Sequence, residues 1–108
     1  MQDIYMQFAT ERDLYQAYMP FLKQGGLFFK TGERFELGEE VTLKVHLPNE
    51  AIEHTIAGKI CWLTPPGAQS GTPAGIGIAF VEDKNDVRNT IEKSIARMLN
   101  SSEPTMTM

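Results

Sequence analysis

The residues able to do chemistry in this chain are few, and their spacing does not suit it. His46 and His54 are the only histidines. Neither has a cysteine or a second histidine at the separation of a metal site. Glu39 and Glu40 sit side by side after a glycine, where solvated turn carboxylates are the simpler reading. A general acid–base pair needs surroundings that shift one pKa, and nothing local supplies them. The serines, at positions 70, 94, 101 and 102, lack the glycines of a nucleophile elbow. Cys61 is the one cysteine, so an internal disulfide is excluded. Its apolar neighbours predict a small buried hydrophobe rather than a reactive thiol. No catalytic residue, metal ligand or cofactor-binding residue is read from the sequence.

Two glycine clusters need separate treatment. "GIGIAF" at 75–80 contains G-x-G, but a dinucleotide fingerprint requires a strand, a glycine turn and then a helix. Here the glycines alternate within the strand itself, which predicts close packing of another backbone or a side chain over a Gly75–Gly77–Ala79 face. Gly25 and Gly26, inside "FLKQGGLFFK", open a strand where a positive φ is expected.

The elements that would carry these residues follow from periodicity. Ile4, Met6 and Phe8 alternate with polar positions and predict a first strand. Thr10 with Asp13 resembles a capping box and starts a helical turn, which Met19 before Pro20 ends. "GLFFKT" predicts a second strand. "EEVTLKVHLPN" places Val41, Leu43, Val45 and Leu47 on one face, as a half-buried antiparallel strand does. "HTIAGKICWL" repeats this with Ile56, Gly58, Ile60 and Trp62, and "AGIGIAF" with Ile76, Ile78 and Phe80. After Phe80 the period becomes helical: Val87, Ile91, Ile95, Met98 and Leu99 form one apolar stripe, with Asn85 or Asp86 able to cap its start. The expected fold is mainly β with α: a small antiparallel barrel of about six strands, a short N-terminal helical turn and a C-terminal amphipathic helix.

With 108 residues and 42% hydrophobic residues, the chain suits one compact domain, read as residues 1–100 with a flexible tail at 101–108. Fourteen acidic against ten basic residues give a net charge of −4, which disfavours nucleic acid, since a basic face normally drives phosphate binding. "MQDIYMQFATERD" lacks the pattern of a signal peptide, and no apolar stretch approaches the roughly 20 residues of a membrane span. A cytoplasmic monomer is expected.

Taken in order, "LYQAYMPFLKQGGLFFKT", "LGEEV", "AGKICWLTPPGAQ", "AGIGIAF" and the terminal "PTMTM" resemble the PilZ domain family over nearly the whole length. Within that family they resemble the single-domain members of type IV pilus biogenesis. The resemblance implies a PilZ-like barrel and a link to cyclic di-GMP. Ligand-binding members carry R-x-x-x-R just before the barrel and then D/N-x-S-x-x-G. Paired guanidiniums grip phosphates and stack on guanine, while short polar side chains bond the base edge. With Gly26 as the final glycine, Phe21 stands where Asp or Asn would be and Lys23 where Ser would be. Arg12 is the one upstream arginine, and Gln16 follows it four residues later.

The resemblance therefore implies a non-catalytic adaptor rather than a receptor. Its partners would be the pilus-extension ATPase and an EAL-domain protein that itself binds cyclic di-GMP. The alternative is a cyclic di-GMP receptor with a divergent motif. Partner contacts are expected at Tyr15, Tyr18, Trp62, Pro65 and Pro66. Trp62 and Tyr15 are expected to be exposed, because Leu14 and Ala17 can supply the buried side of the turn and Trp62 ends its strand. Tyr18 is balanced between the surface and plugging the barrel.

Overall fold

A computed structural model describes residues 2–64 and 74–96. The elements are β1 (Gln2–Gln7), α1 (Glu11–Ala17), β2 (Gly26–Lys30), β3 (Glu40–His46), β4 (Glu53–Thr64), β5 (Gly75–Glu82) and α2 (Val87–Ser94). The class is as expected, mainly β with two helices, the strands forming one sheet curled into a half-barrel. The sheet has five strands in the order β1-β3-β4-β5-β2. One pairing departs from the antiparallel expectation: β1 runs parallel to β3, with Ile4 opposite Leu43. The long excursion through α1 and β2 makes this possible, since a parallel neighbour needs a crossover rather than a tight turn.

Alternation sets the inner face. Val41, Leu43 and Val45 are fully buried, as are Ile60 and Ile78 across the sheet. Covering such a side chain stabilises the fold by about 1.5–3 kcal/mol. Val87 and Ile91 of α2 and Ile95 at its C-cap are buried in the same cluster, so the helix stripe closes over the sheet as its period predicted. Met98, Leu99 and the tail at 101–108 lie outside the described residues.

Both helix starts are capped, one of them unexpectedly. Thr10 accepts from the Asp13 amide at 3.1 Å, as the sequence suggested. At α2, Asp86 holds a left-handed backbone (φ 55°) and its side chain makes no cap bond. Asp83 does the work instead, its carboxylate accepting from the amides of Val87 (2.7 Å) and Arg88 (2.9 Å). A carboxylate there also suits the positive end of the helix dipole.

β4 contains the feature that reassigns its outer half. Ile60 faces Ile78, but Trp62 faces Gly77, so two steps of β4 span one of β5. Cys61 is the extra residue of this bulge. Beyond it the faces exchange: Leu63, itself 42% exposed, stands opposite Ile76, and Trp62 stands opposite Gly77 on the outer side. The expectation that Trp62 shares a face with Ile56 and Ile60 is corrected, for this reason. Cys61 is exposed at the bulge, not buried as its neighbours implied.

Candidate interaction surface

The outer face of β5 is the glycine stripe that the sequence singled out. A Cβ at Gly77 would lie 2.7 Å from Trp62 Cβ and 3.1 Å from Met19 Cε; one at Gly75 would meet the Phe28 ring. Side chains therefore pack over this face, as expected. Met19 and Phe28 are buried, yet both stand outside the main cluster. With Trp62 they make a second, smaller apolar layer on the outside of the sheet.

Trp62 is 38% exposed. Its indole Nε1 donates to Thr64 Oγ1 at 2.7 Å, two residues along the same strand. The polar edge of the ring is thus satisfied, and part of the ring is left to solvent. Aromatic side chains held in this way are frequent interface anchors. The exposure expected of Trp62 is found, although by way of the bulge rather than its place at the strand end.

The tyrosines behave differently. Tyr15 is only 7% exposed and Tyr18 1%, which corrects the expectation for Tyr15. Leu14, Tyr15, Ala17 and Tyr18 occupy an arc of about 160° at 3.6 residues per turn, and the whole arc is buried. A helix of seven residues against a curled sheet is covered on nearly half its girth, so Leu14 and Ala17 do not suffice. Pro65 and Pro66 lie outside the described residues.

Next to this layer, residues 20–26 form the loop where the family motif would sit. Gly25 has φ +82°, as anticipated. Gly26 is required for a different reason: a Cβ there would fall 2.4 Å from the carbonyl oxygen of Ile78. The glycine pair shapes the backbone. Phe21 is 49% exposed, and the Lys23 side chain is also at the surface. Gln16 and Asp13 of α1 line a cleft of about 290 Å³ between the ends of β1 and β2, with Phe8, Phe29 and Lys30. Arg12 lies on the exposed side of α1.

What holds this loop is not readable from the sequence. Arg88, on the first turn of α2, reaches across it. Its Nη1 donates to the Lys23 carbonyl at 2.7 Å, its Nη2 to the Pro20 carbonyl at 3.3 Å, and its Nε to Glu92 Oε2 at 3.2 Å. The same Glu92 oxygen accepts the Tyr18 hydroxyl. Burial, and then the Glu92 carboxylate, push the Tyr18 phenol well above its ordinary pKa. Donation from Tyr18, helped by Arg88 against partial desolvation, holds Glu92 below the usual carboxylate range. An Arg–Glu pair at i, i+4 on a helix is a readable signal, but the loop carbonyls are distant in sequence.

Other titratable groups show less organisation. His54 meets Glu50 at 2.8 Å. Partial desolvation at the bulge raises the Cys61 thiol, which opposes thiolate formation. Among the described residues, no group of three His, Cys, Asp or Glu side chains could hold a metal, and no helix is long and apolar enough to cross a membrane.

The chain matches the PilZ domain family over residues 3–97. It belongs to that family, one of non-catalytic domains that serve as cyclic di-GMP receptors and adaptors. No curated protein matches it.

Proposed function

We propose that this chain is a non-catalytic adaptor in type IV pilus biogenesis, linking the pilus-extension ATPase to an EAL-domain protein that senses cyclic di-GMP. The chain does not bind cyclic di-GMP itself, and it acts in the cytoplasm. The observation that carries the reading is the state of the 20–26 loop. Phe21, exposed and apolar, and Lys23, whose carbonyl is taken by Arg88, stand at the two positions where ligand-binding relatives need short polar side chains. One arginine, Arg12, stands upstream of the loop where the family motif has two. Supporting it, Trp62 on the outer face of the sheet and Phe21 on the loop are partly in solvent, which suits a protein partner better than a nucleotide.

Calorimetry with cyclic di-GMP tests the negative half. No binding is expected at micromolar concentration; a Kd below ~10 μM, about −7 kcal/mol, would show a receptor with a divergent motif instead. Pull-downs with the ATPase and the EAL-domain protein test the positive half.

A further inference from the structure

We infer that Tyr18, Glu92 and Arg88 form a latch through which α2 governs the 20–24 loop: the loop opens only when α2 lifts from the sheet. This device belongs to the chain by itself and does not depend on the adaptor reading.

The latch is a closed circuit of hydrogen bonds. Two donors share one oxygen, Glu92 Oε2: the Tyr18 hydroxyl, and Arg88 Nε at 3.2 Å. The rest of the guanidinium reaches into the loop, to the Lys23 carbonyl at 2.7 Å and the Pro20 carbonyl at 3.3 Å. Pro20 and Met19 then lead back along the chain to Tyr18 and close the circuit. Tyr18 is rooted in the sheet, because its backbone bridges Leu27 and the next amide, of Met19, donates to the Gly26 carbonyl at 2.9 Å.

These bonds act together. A guanidinium is planar and its donors are fixed relative to one another, so the bond to Glu92 aims the two that reach the loop. Glu92 is aimed in turn by a phenol that is 1% exposed, and linked hydrogen bonds of this kind polarise and strengthen one another. Packing joins the same parts: a Cβ at Gly25 would lie 3.3 Å from Arg88 Cγ and Cδ and 3.4 Å from the Tyr18 hydroxyl oxygen.

Each partner is weak without the other. The loop's own backbone supplies little, the Leu22 amide reaching the Met19 carbonyl at a long 3.5 Å and the Gly25 amide reaching the Leu22 carbonyl at 3.0 Å. A separate opening of the loop would break both bonds to the guanidinium and leave half of its donors unmatched. Helix α2 has eight residues, too few to persist in water unless docked. When it lifts, it uncovers Val87, Ile91 and Ile95 and releases the loop in the same event.

Native-state amide exchange in a series of low urea concentrations tests the latch on the protein alone. The Gly25 amide, bonded to Leu22, reports the loop, and the Ile95 amide, bonded to Ile91 at 3.1 Å, reports α2. Leu43, paired with Ile56 in the sheet, is the control. In the wild type, Gly25 and Ile95 are expected to merge onto one urea dependence, as members of one cooperative unit do, with Leu43 slower than both. A Gly25 amide that exchanges faster than Ile95, through an opening of its own that urea does not affect, overturns the latch.

Two variants then separate its halves. Arg88→Met keeps the stem over Gly25 and removes the fork, and it is expected to split the pair, Gly25 exchanging at least ~tenfold faster than Ile95. Tyr18→Phe removes only the hydroxyl, and it is expected to speed both amides together by about fivefold, the worth of one ordinary hydrogen bond. An Arg88→Met protein in which Gly25 and Ile95 stay together overturns the latch. So does a Tyr18→Phe protein in which they split or keep their wild-type rates. The wild-type series decides the matter alone if either variant fails to fold.

Discussion

Replacing Trp62 by alanine removes a ring that does two jobs, and its effect on stability can be worked out before its effect on binding. A tryptophan side chain presents up to ~250 Å², and with 38% of the residue exposed about 150 Å² is covered. At about 25 cal/mol per Å² this is an upper figure of ~4 kcal/mol, which falls to roughly 2.5–3 when the unfolded chain's own partial burial is allowed for. The Nε1 bond to Thr64 adds little net, because water replaces it at a half-open site. Trp62→Ala should therefore cost ~2.5–3 kcal/mol, within the 5–15 kcal/mol typical of a domain, and the protein should still fold. Trp62→Phe, which keeps contact with Gly77 and Met19, should cost less than half as much. Urea denaturation followed by circular dichroism gives both values. If Trp62→Ala unfolds as wild type does, the ring is not packed on the glycine stripe. If neither variant folds, Trp62 belongs to the core and its place on the outer face is wrong. Given a folded Trp62→Ala, a loss of about 2 kcal/mol or more in affinity for the ATPase or the EAL-domain protein is expected of an interface anchor; unchanged affinity for both would remove Trp62 from the docking surface.

Phe21→Asp with Lys23→Ser, which restores the short polar positions of the ligand motif, should fold normally, since both side chains are exposed. It should still fail to bind cyclic di-GMP in calorimetry, because the second arginine is missing. Gly26→Ala should cost about 3 kcal/mol or more, the new methyl meeting the Ile78 carbonyl, whereas Gly25→Ala should cost about 1–2 kcal/mol for its positive φ; equal losses in chemical denaturation would contradict the close approach. The raised Tyr18 pKa favours the neutral phenol in the fold, so its contribution is complete below the ordinary tyrosine value and declines as pH rises past about 10. Tyr18→Phe should flatten that alkaline decline in a series of melting curves, and an unchanged slope would show that Tyr18 ionises as freely in the fold as outside it.

The parts of the fold legible in the sequence are those governed by local period. The alternation of Val41, Leu43 and Val45 gave β3, the 3–4 spacing of Val87, Ile91 and Ile95 gave α2, and Thr10 gave the start of α1. Period says nothing about which strand neighbours which, so the parallel pairing of β1 with β3 could not be read. It also fails where one residue is inserted. The Cys61 bulge leaves the apolar run "KICWL" looking continuous while it exchanges the faces of Trp62 and Leu63, and this single step misplaced both Cys61 and the route by which Trp62 reaches the surface. Tyr15 was misjudged because Leu14 and Ala17 were thought enough to cover the buried side of the turn. Of the candidate surface, Trp62 was legible as an unusual residue at a strand end. Phe21 was read as a missing ligand group rather than an exposed side chain, and Arg88 was not read at all, because its acceptors are backbone carbonyls contributed by the far end of the chain.

Those carbonyls connect the loop at the motif positions to the rest of the fold. A loop that binds a dinucleotide through side chains can take its shape partly from the ligand. A loop without the ligand must be shaped from within, or it frays. Here the shaping comes from α2: Asp83 fixes the helix start, the next amide belongs to Arg88, and the Arg88 side chain fixes the carbonyls on both sides of Phe21. Glu92, one turn on, ties the same guanidinium to Tyr18 at the end of α1. The chain thus holds the motif loop by internal hydrogen bonds from α2. On the proposed adaptor reading, a loop braced from within suits a protein that reads the signal through a partner.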